Sequence, residues 1–505
     1  MNKKQEATPF YSKLLQYANS NTTSHDVPGH KLGQIDNELL DYVGINMFRL
    51  DANAPRGLDN LNKPKTVIKE AAILMADAFG SDKAYFLTGG TTMGILAMIM
   101  AVCRANDKII MPRNVHKSAI NALILSGAVP VFVEPKIDEN LGIANHVTYE
   151  TYEEAIKNNL DAKAVFIINP TYFGVTTKIK EIVKLAHEHD MFVLADEAHG
   201  SHFKFSKELP MSAMKAGADI AACSLHKTVG SLTQSSIILT KGKKVDHVRL
   251  RSTINMLQST SPSSLLLASL DVARKTIYFK GPEELPNIVK MAKKTRDEIG
   301  KIPGLKAITK KDFLELGAKD YDQTKIIVKV SNLGITGFQA YKELFDDFHI
   351  QLELAETHLI LAVLSIGTKK KDLDALVEAL KKLSERYYEN AKPLKHKIIY
   401  TEPVSSIRPR VAYHAPKKYV RFKDALNEIA AEMIMIYPPG IPLVIPGEVI
   451  TKKILSDLKF YQKSGSVILS DTDRGYVKIV DRDEWDRKED PNEIWKSRFI
   501  ISKLQ

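Results

Sequence analysis

The sequence predicts an α/β fold: a large domain on a mostly parallel sheet, then a small α+β domain and a C-terminal α+β domain. Three observations carry this expectation. Between about residues 65 and 240, short apolar runs alternate with stretches of helix length. The runs are apolar throughout, as strands buried on both faces are. Beyond residue 300 the pattern changes to an isolated strand-like run and a long amphipathic stripe.

The elements follow in chain order. Residues 1–64 read as a helix and irregular segments, with turn signals in VPGHKLG (27–33) and NAPRGLDN (53–60). Residues 65–300 form the large domain. AAILMADAF (71–79) and IKEIVKLAHEHD (179–190) have helical character. IIMP (109–112), VPVFVEP (129–135), AVFIINP (164–170), FVLADE (192–197) and SIILT (236–240) read as strands, as does DIAACS before Leu225. The segment KIPGLKAITKK opens the small domain, 301–395. There KIIVKV (325–330) reads as a strand, and Leu373, Leu376, Val377, Leu380 and Leu383 form one apolar stripe. ENAKPLKHK (389–397) reads as a linker into the C-terminal domain, 396–505, where YPPGIPLVIPGE (437–448) reads as a rigid turn.

Composition narrows the functional classes. The 505 residues are 44% hydrophobic and 26% charged, ordinary for a globular protein. No apolar run reaches membrane-span length, and the N-terminus lacks the apolar stretch of a signal peptide. Cys103 and Cys223 are the only cysteines, so no disulfide framework is expected, and a cytoplasmic location is. The net charge of +11 comes from lysines spread along the chain, without nucleic-acid-binding motifs. A cationic substrate would therefore have to be captured by local carboxylates. No metal site is expected.

Four segments could carry chemistry. In SLHKTVGSLTQSS (224–236), Lys227 follows Ser224 and His226 at the end of an apparent strand. A lone lysine there is more often an exposed loop residue. The adjoining hydroxyl and imidazole suit it to imine formation with a phosphorylated aldehyde. In LADEAHGSHF (194–203), Asp196 ends an apolar run. It is either a helix cap or an acid aimed into the crevice where open α/β sheets bind ligands. FLTGGTTMG (86–94) precedes an apolar helix, and Gly89, Gly90, Thr91 and Thr92 form a phosphate-cradle pattern without being a Walker A loop. His116, in MPRNVHKS (111–118), is either a capping residue or a stacking partner for a planar ligand. Glu448, Asp51 and Asp59 are candidate carboxylates for a cationic substrate, although each alone reads as a surface acid.

Taken in order, VPGHKLG, MPRNVHKS, INPTYFGV, ADEAHGSHF, ADIAACSLHKTVGSLTQSS, LLLASLDVARK and YPPGIPLVIPGE resemble the Orn/Lys/Arg decarboxylases of pyridoxal phosphate (PLP) fold type I. The likeness is greatest to the short Bacillus-type arginine decarboxylases. It implies a PLP-dependent transferase-like large domain and decarboxylation of a basic amino acid, with arginine giving agmatine for polyamine biosynthesis. Lysine or ornithine is the alternative substrate. The resemblance implies that Lys227 forms a Schiff base, that Asp196 partners the pyridine nitrogen, and that His116 and Ala198 pack on the two ring faces. His199 lies nearby as a candidate proton donor. Thr91, Thr92, Ser224 and His226 would hold the phosphate. Ser259 or Thr260 would reach the phosphate of a neighbouring subunit in a homodimer with shared active sites. Glu448 would face the substrate side chain or its access path.

The chain departs from the family at its substrate end. Ser24-His25-Asp26-Val27-Pro28 replaces a usual F-H-x-P, Asn60 stands in place of an Asp, Ser264 where a tyrosine is common, and His199 where longer members have a tryptophan. The N-terminal wing domain of the long forms is not expected. Transamination or another lyase reaction, or a non-catalytic relative, remain competing readings, since one fold hosts many chemistries.

Overall fold

The computed structural model describes residues 2–394, 404–437, 441–463, 467–473 and 475–487. At its centre is a seven-stranded sheet: β1 (Lys83–Leu87), β2 (Lys108–Pro112), β3 (Val129–Val133), β4 (Ala162–Ile168), β5 (Phe192–Asp196), β6 (Ile220–Cys223) and β7 (Ser236–Thr240). Their order across the sheet is β3-β2-β4-β5-β6-β7-β1. The five strands from β3 to β6 pair in parallel. Strand β7 runs antiparallel to both β6 and β1. The large-domain runs predicted as strands fall on this sheet; β1 joins them without being among the expected strands.

Period-2 alternation sorts the side chains to two cores. Phe86, Val165, Ala195 and Ile237 face one layer with helices α1 (Pro9–Ala18), α2 (Val67–Phe79), α5 (Ile179–Glu188) and α6 (Ser264–Ile299). Tyr85, Leu87, Phe166, Leu194 and Ile238 face the other, against α3 (Gly90–Val102) and α4 (Lys117–Ser126). Covering both faces explains why the strands are uniformly apolar. Each fully buried Phe, Leu or Ile side chain contributes about 1.5–3 kcal/mol.

Helix α6 spans 36 residues and belongs to two domains. Leu267, Leu270, Ile277 and Leu285 lie in the large-domain core. Ile288, Ala292 and Ile299 lie in the core of the small domain. That domain has a four-stranded antiparallel sheet, ordered 306–307, 325–329, 359–363, 354–355. The stripe Leu373, Leu376, Val377, Leu380 and Leu383 is buried against it on the helix Lys370–Tyr387. A two-stranded pairing of Asp320–Tyr321 with Val175–Thr176 ties this domain to a loop of the large one.

The C-terminal domain differs from its sequence reading. Within YPPGIPLVIPGE, Ile441–Val444 is a strand pairing with Ile434–Tyr437, itself paired with Val467–Leu469. Pro442 is accommodated on an outer strand of this small sheet, where a missing N–H is tolerated. Residues 395–397 of the expected linker and 438–440 of this segment lie outside the described residues. Cys103 and Cys223 are free and buried. Among the described residues, no helix is long and apolar enough to cross a membrane.

Candidate active site

The carboxyl ends of the parallel strands open into a cavity of about 480 Å³. This is where ligands bind open α/β sheets. Thr91, His116, Asp196, His199, Ser224 and Lys227, six residues singled out in sequence, all line it.

One end is built for an anion. Helix α3 begins here, so its first N–H groups and the positive end of its dipole face the cavity. The helix can sit this close to the sheet because Gly94 lacks a side chain. A Cβ there would meet Leu87 Cδ1 at 3.0 Å and Ala222 Cβ at 3.2 Å. Thr91 Oγ1 bonds Ser224 Oγ and donates to Ser236 Oγ at 3.0 Å. Thr92 and His226 join the lining. His226 Nδ1 donates to the Ser235 carbonyl at 3.0 Å, which sets its tautomer. Gln234 closes the wall with φ +78°, a strained conformation for a residue with a side chain. Its carbonyl accepts from Gly90 N at 2.8 Å.

The other end is built for an electrophile. Lys227 follows β6 on the short helix Leu225–Thr228. Its Nζ lies 2.9 Å from His199 Nε2 and 5.3 Å from the Tyr172 ring centroid. Burial pulls its pKa below the ordinary lysine range, with Asp196 and Glu353 opposing the shift. A lysine so shifted is a stronger nucleophile near neutral pH. Asp196, the last residue of β5, is buried and accepts from Ala198 N at 3.1 Å. Burial raises its pKa, while the Ala198 N–H and the Lys227 charge act against this. Such a carboxylate has room for a cationic N–H partner.

His116 combines both of its sequence readings. Its Nδ1 accepts from Ser118 N at 3.3 Å as the cap of α4, and its ring still lines the cavity. Burial, then the charge of Lys227, pushes its pKa down to about 4, so the ring is neutral. Ala198 also faces the cavity.

Three expected residues are not in the cavity. Ser259 and Thr260 are exposed at the end of the turn before α6, and Ser259 bonds Ser261 Oγ at 3.2 Å. Glu448 requires a correction. It is buried, and both carboxylate oxygens are taken by Arg113: Nε to Oε1 at 3.0 Å and Nη2 to Oε2 at 2.8 Å. Ile445 N donates to Oε2 as well, at 2.9 Å. Glu448 therefore clamps the C-terminal domain to the end of β2 and does not line the cavity. Of the other carboxylates considered, Asp59 is turned into backbone N–H groups of residues 60–68, and Asp51 pairs with His30 at 3.2 Å.

Sequence reasoning missed Tyr172 and Lys325. Tyr172 lies in the quoted INPTYFGV run but was given no role; its ring packs on His199 with centroids 4.3 Å apart. Lys325 sits in the predicted strand KIIVKV, yet nothing local marks its side chain as fully buried, 3.3 Å from His199 Nδ1.

Residues 8–372 match the family model described as Orn/Lys/Arg decarboxylase, major domain, and residues 393–467 match its C-terminal domain. The chain is 43% identical to the arginine decarboxylase of Bacillus subtilis, over 90% of this chain and 93% of that one. It is 42% identical to the arginine decarboxylase of Halalkalibacterium halodurans, over 92% and 95% respectively. The crystal structure of the Francisella novicida lysine decarboxylase superimposes with a TM-score of 0.81, covering 95% of this chain and 82% of that one, at 21% identity. That structural likeness is one of fold.

Proposed function

The chain belongs to the Orn/Lys/Arg decarboxylase family, whose members are PLP-dependent, and from that premise we propose that it decarboxylates L-arginine to agmatine and CO2. The observation that carries the reading is the pairing, within one cavity, of a depressed lysine amine with a buried carboxylate. Arginine is favoured over lysine and ornithine by the chain's likeness to arginine decarboxylases over nearly their whole length.

The residues present fit PLP. Asp196 is a buried acid whose raised pKa marks an unmet demand for a cation, as a pyridinium N–H would supply. The start of α3 with Thr91, Thr92, Ser224 and His226 would hold a phosphate. Lys227 Nζ would hold the aldehyde carbon covalently. Bound there, the cofactor supplies an electron sink for the bond that releases CO2. His116 and Ala198 would fix the ring between them. His199 would present its Nε2 to the substrate's α-carbon as a proton donor. The cavity walls would orient the carboxylate-bearing bond and limit water.

The same reading includes a homodimer with shared active sites. Support comes from large exposed apolar side chains, Leu39, Tyr42, Val248 and Met256 among them. Ser259 and Thr260 are exposed beside Met256 and would complete a neighbour's phosphate site.

Side-by-side turnover of arginine, lysine and ornithine, with CO2 and the amine both measured, tests the substrate. Arginine is expected to give the highest kcat/KM; no release of CO2 from arginine overturns the reading. Asp196→Asn is expected to lower kcat by roughly 10²–10³-fold, because a neutral amide cannot stabilise a pyridinium charge. Stopped assays on folded variant with PLP still bound check this. A variant with wild-type kcat would remove Asp196 from the role.

A further inference from the structure

His199 is held at both ring nitrogens by lysines. Nε2 lies 2.9 Å from Lys227 Nζ, and Nδ1 lies 3.3 Å from Lys325 Nζ. Hydrogen-bond arithmetic restricts this chain of groups. An ammonium only donates, and a neutral imidazole has one N–H and one lone pair. The ring is neutral, since burial and then Lys227 and Lys325 hold its pKa well below the ordinary range. Only one of the two lysines can then donate to it as an ammonium. The other must be an amine that accepts the ring N–H.

The fold makes Lys325 the natural ammonium. Lys325 is fully buried at the start of the strand 325–329, with no access to the cavity mouth. Gly174 makes room for its stem: with φ +88°, a Cβ there would lie 2.7 Å from Lys325 Cδ. The charged and titratable groups around it are Asp322 and His202 on one side, Glu353 and Lys227 on another, and Arg296 of α6, which donates to the Lys325 carbonyl at 3.1 Å. Tyr321 Oη donates to the same carbonyl at 2.7 Å. The negative charges of Asp322 and Glu353 favour a cation at Lys325, although burial pushes its pKa down to about 8; Lys227 has Asp196 and Glu353 near it too, but it is the lysine the cofactor would take up, which leaves Lys325 as the ammonium.

We infer that Lys325 is the positioning residue for His199: its ammonium donates to Nδ1 and so holds the imidazole as the Nε2–H tautomer, with the transferable proton on the cavity side. The inference rests on the decarboxylase reading for its chemical use. There, the ring gives the Nε2 proton to the substrate's α-carbon and takes a proton at Nδ1 from Lys325 Nζ. One N–H bond breaks at Nε2 and one forms at Nδ1; the ring stays neutral and Lys325 ends as an amine. The proton that replaces the departing CO2 thus comes from Lys325, which is recharged by the reverse relay: a proton from the open cavity enters at Nε2 and the Nδ1 proton returns to Nζ.

The test is ¹⁵N NMR of the imidazole in full-length protein, with and without PLP, the His199 signals being identified by their loss in His199→Gln. The Nε2–H tautomer is expected in the PLP-bound wild type, and a mixture or the Nδ1–H form in Lys325→Met. Lys325→Met removes the donor while roughly keeping volume, and Asp322 keeps the N–H and hydroxyl of Thr324 as partners. In the holoenzyme, kcat is expected to fall by about tenfold to a hundredfold with KM little changed. Wild-type kcat should decline as pH rises through about 8, where Lys325 loses its proton, and this limb should vanish in Lys325→Met. An Nδ1–H ring in the PLP-bound wild type overturns the proposal without any variant. So does a Lys325→Met protein with unchanged tautomer and pH profile. Wild-type protein with the Nε2–H ring but no release of CO2 supports the positioning and overturns only the decarboxylase reading.

Discussion

Lys227→Ala is expected to lower kcat by roughly 10³-fold or more and to abolish the visible absorbance of covalently held PLP. The amine has no substitute in place. Lys325 Nζ reaches only the far nitrogen of His199, and the ring stands between it and the cavity. The phosphate end of the site, with Thr91 bonded to Ser224 and Ser236, does not depend on Lys227. The variant should therefore still bind the cofactor, but reversibly, so that dialysis removes it. Spectra before and after dialysis, together with CO2 release, check this. A variant that keeps both the band after dialysis and its turnover would remove Lys227 from the centre of the reaction.

Glu448→Ala is expected to destabilise the protein by about 3–5 kcal/mol, because it leaves the Arg113 guanidinium buried without its partner. Arg113 and Glu448 are 3% and 1% exposed, so water cannot replace the lost carboxylate. Arg113 keeps one other acceptor, the Pro442 carbonyl at 3.1 Å. The double variant Arg113→Met/Glu448→Leu should recover much of the loss, since it removes both charges together. Urea denaturation of the three proteins measures the differences. A Glu448→Ala protein as stable as wild type, with KM for arginine raised, would return Glu448 to the substrate-facing role expected from sequence.

The central sheet was legible because burial on both faces leaves a local signature: runs of three to five apolar residues in succession. The site was partly legible for a related reason. Asp196 and Ser224 interrupt apolar runs at strand ends and Thr91 opens an apolar helix, and a polar residue there has few places to go except the crevice. What was not legible depends on contacts between distant segments. Glu448 meets Arg113 across 335 positions, and neither residue's neighbours hint at the other. Lys325 reads like any lysine at the edge of a strand. Its burial follows from the pairing of 320–321 with 175–176, which closes the small domain over the loop bearing Tyr172 and Gly174. Pro442 suggested a turn because proline seldom enters a sheet. It is tolerated here on an outer strand.

Helix 264–299 gives the molecule a common beam. Its first turns are fastened into one hydrophobic core and its last into another. Severing the chain at residue 300 would strip the cover from Ile288, Ala292 and Ile299 and leave the following sheet without a wall. Neither fragment would be a viable protein, whatever the sequence pattern suggests about a boundary there. The large domain that carries His199 and the small domain that carries Lys325 both pack on that shared member, so they should melt as a unit.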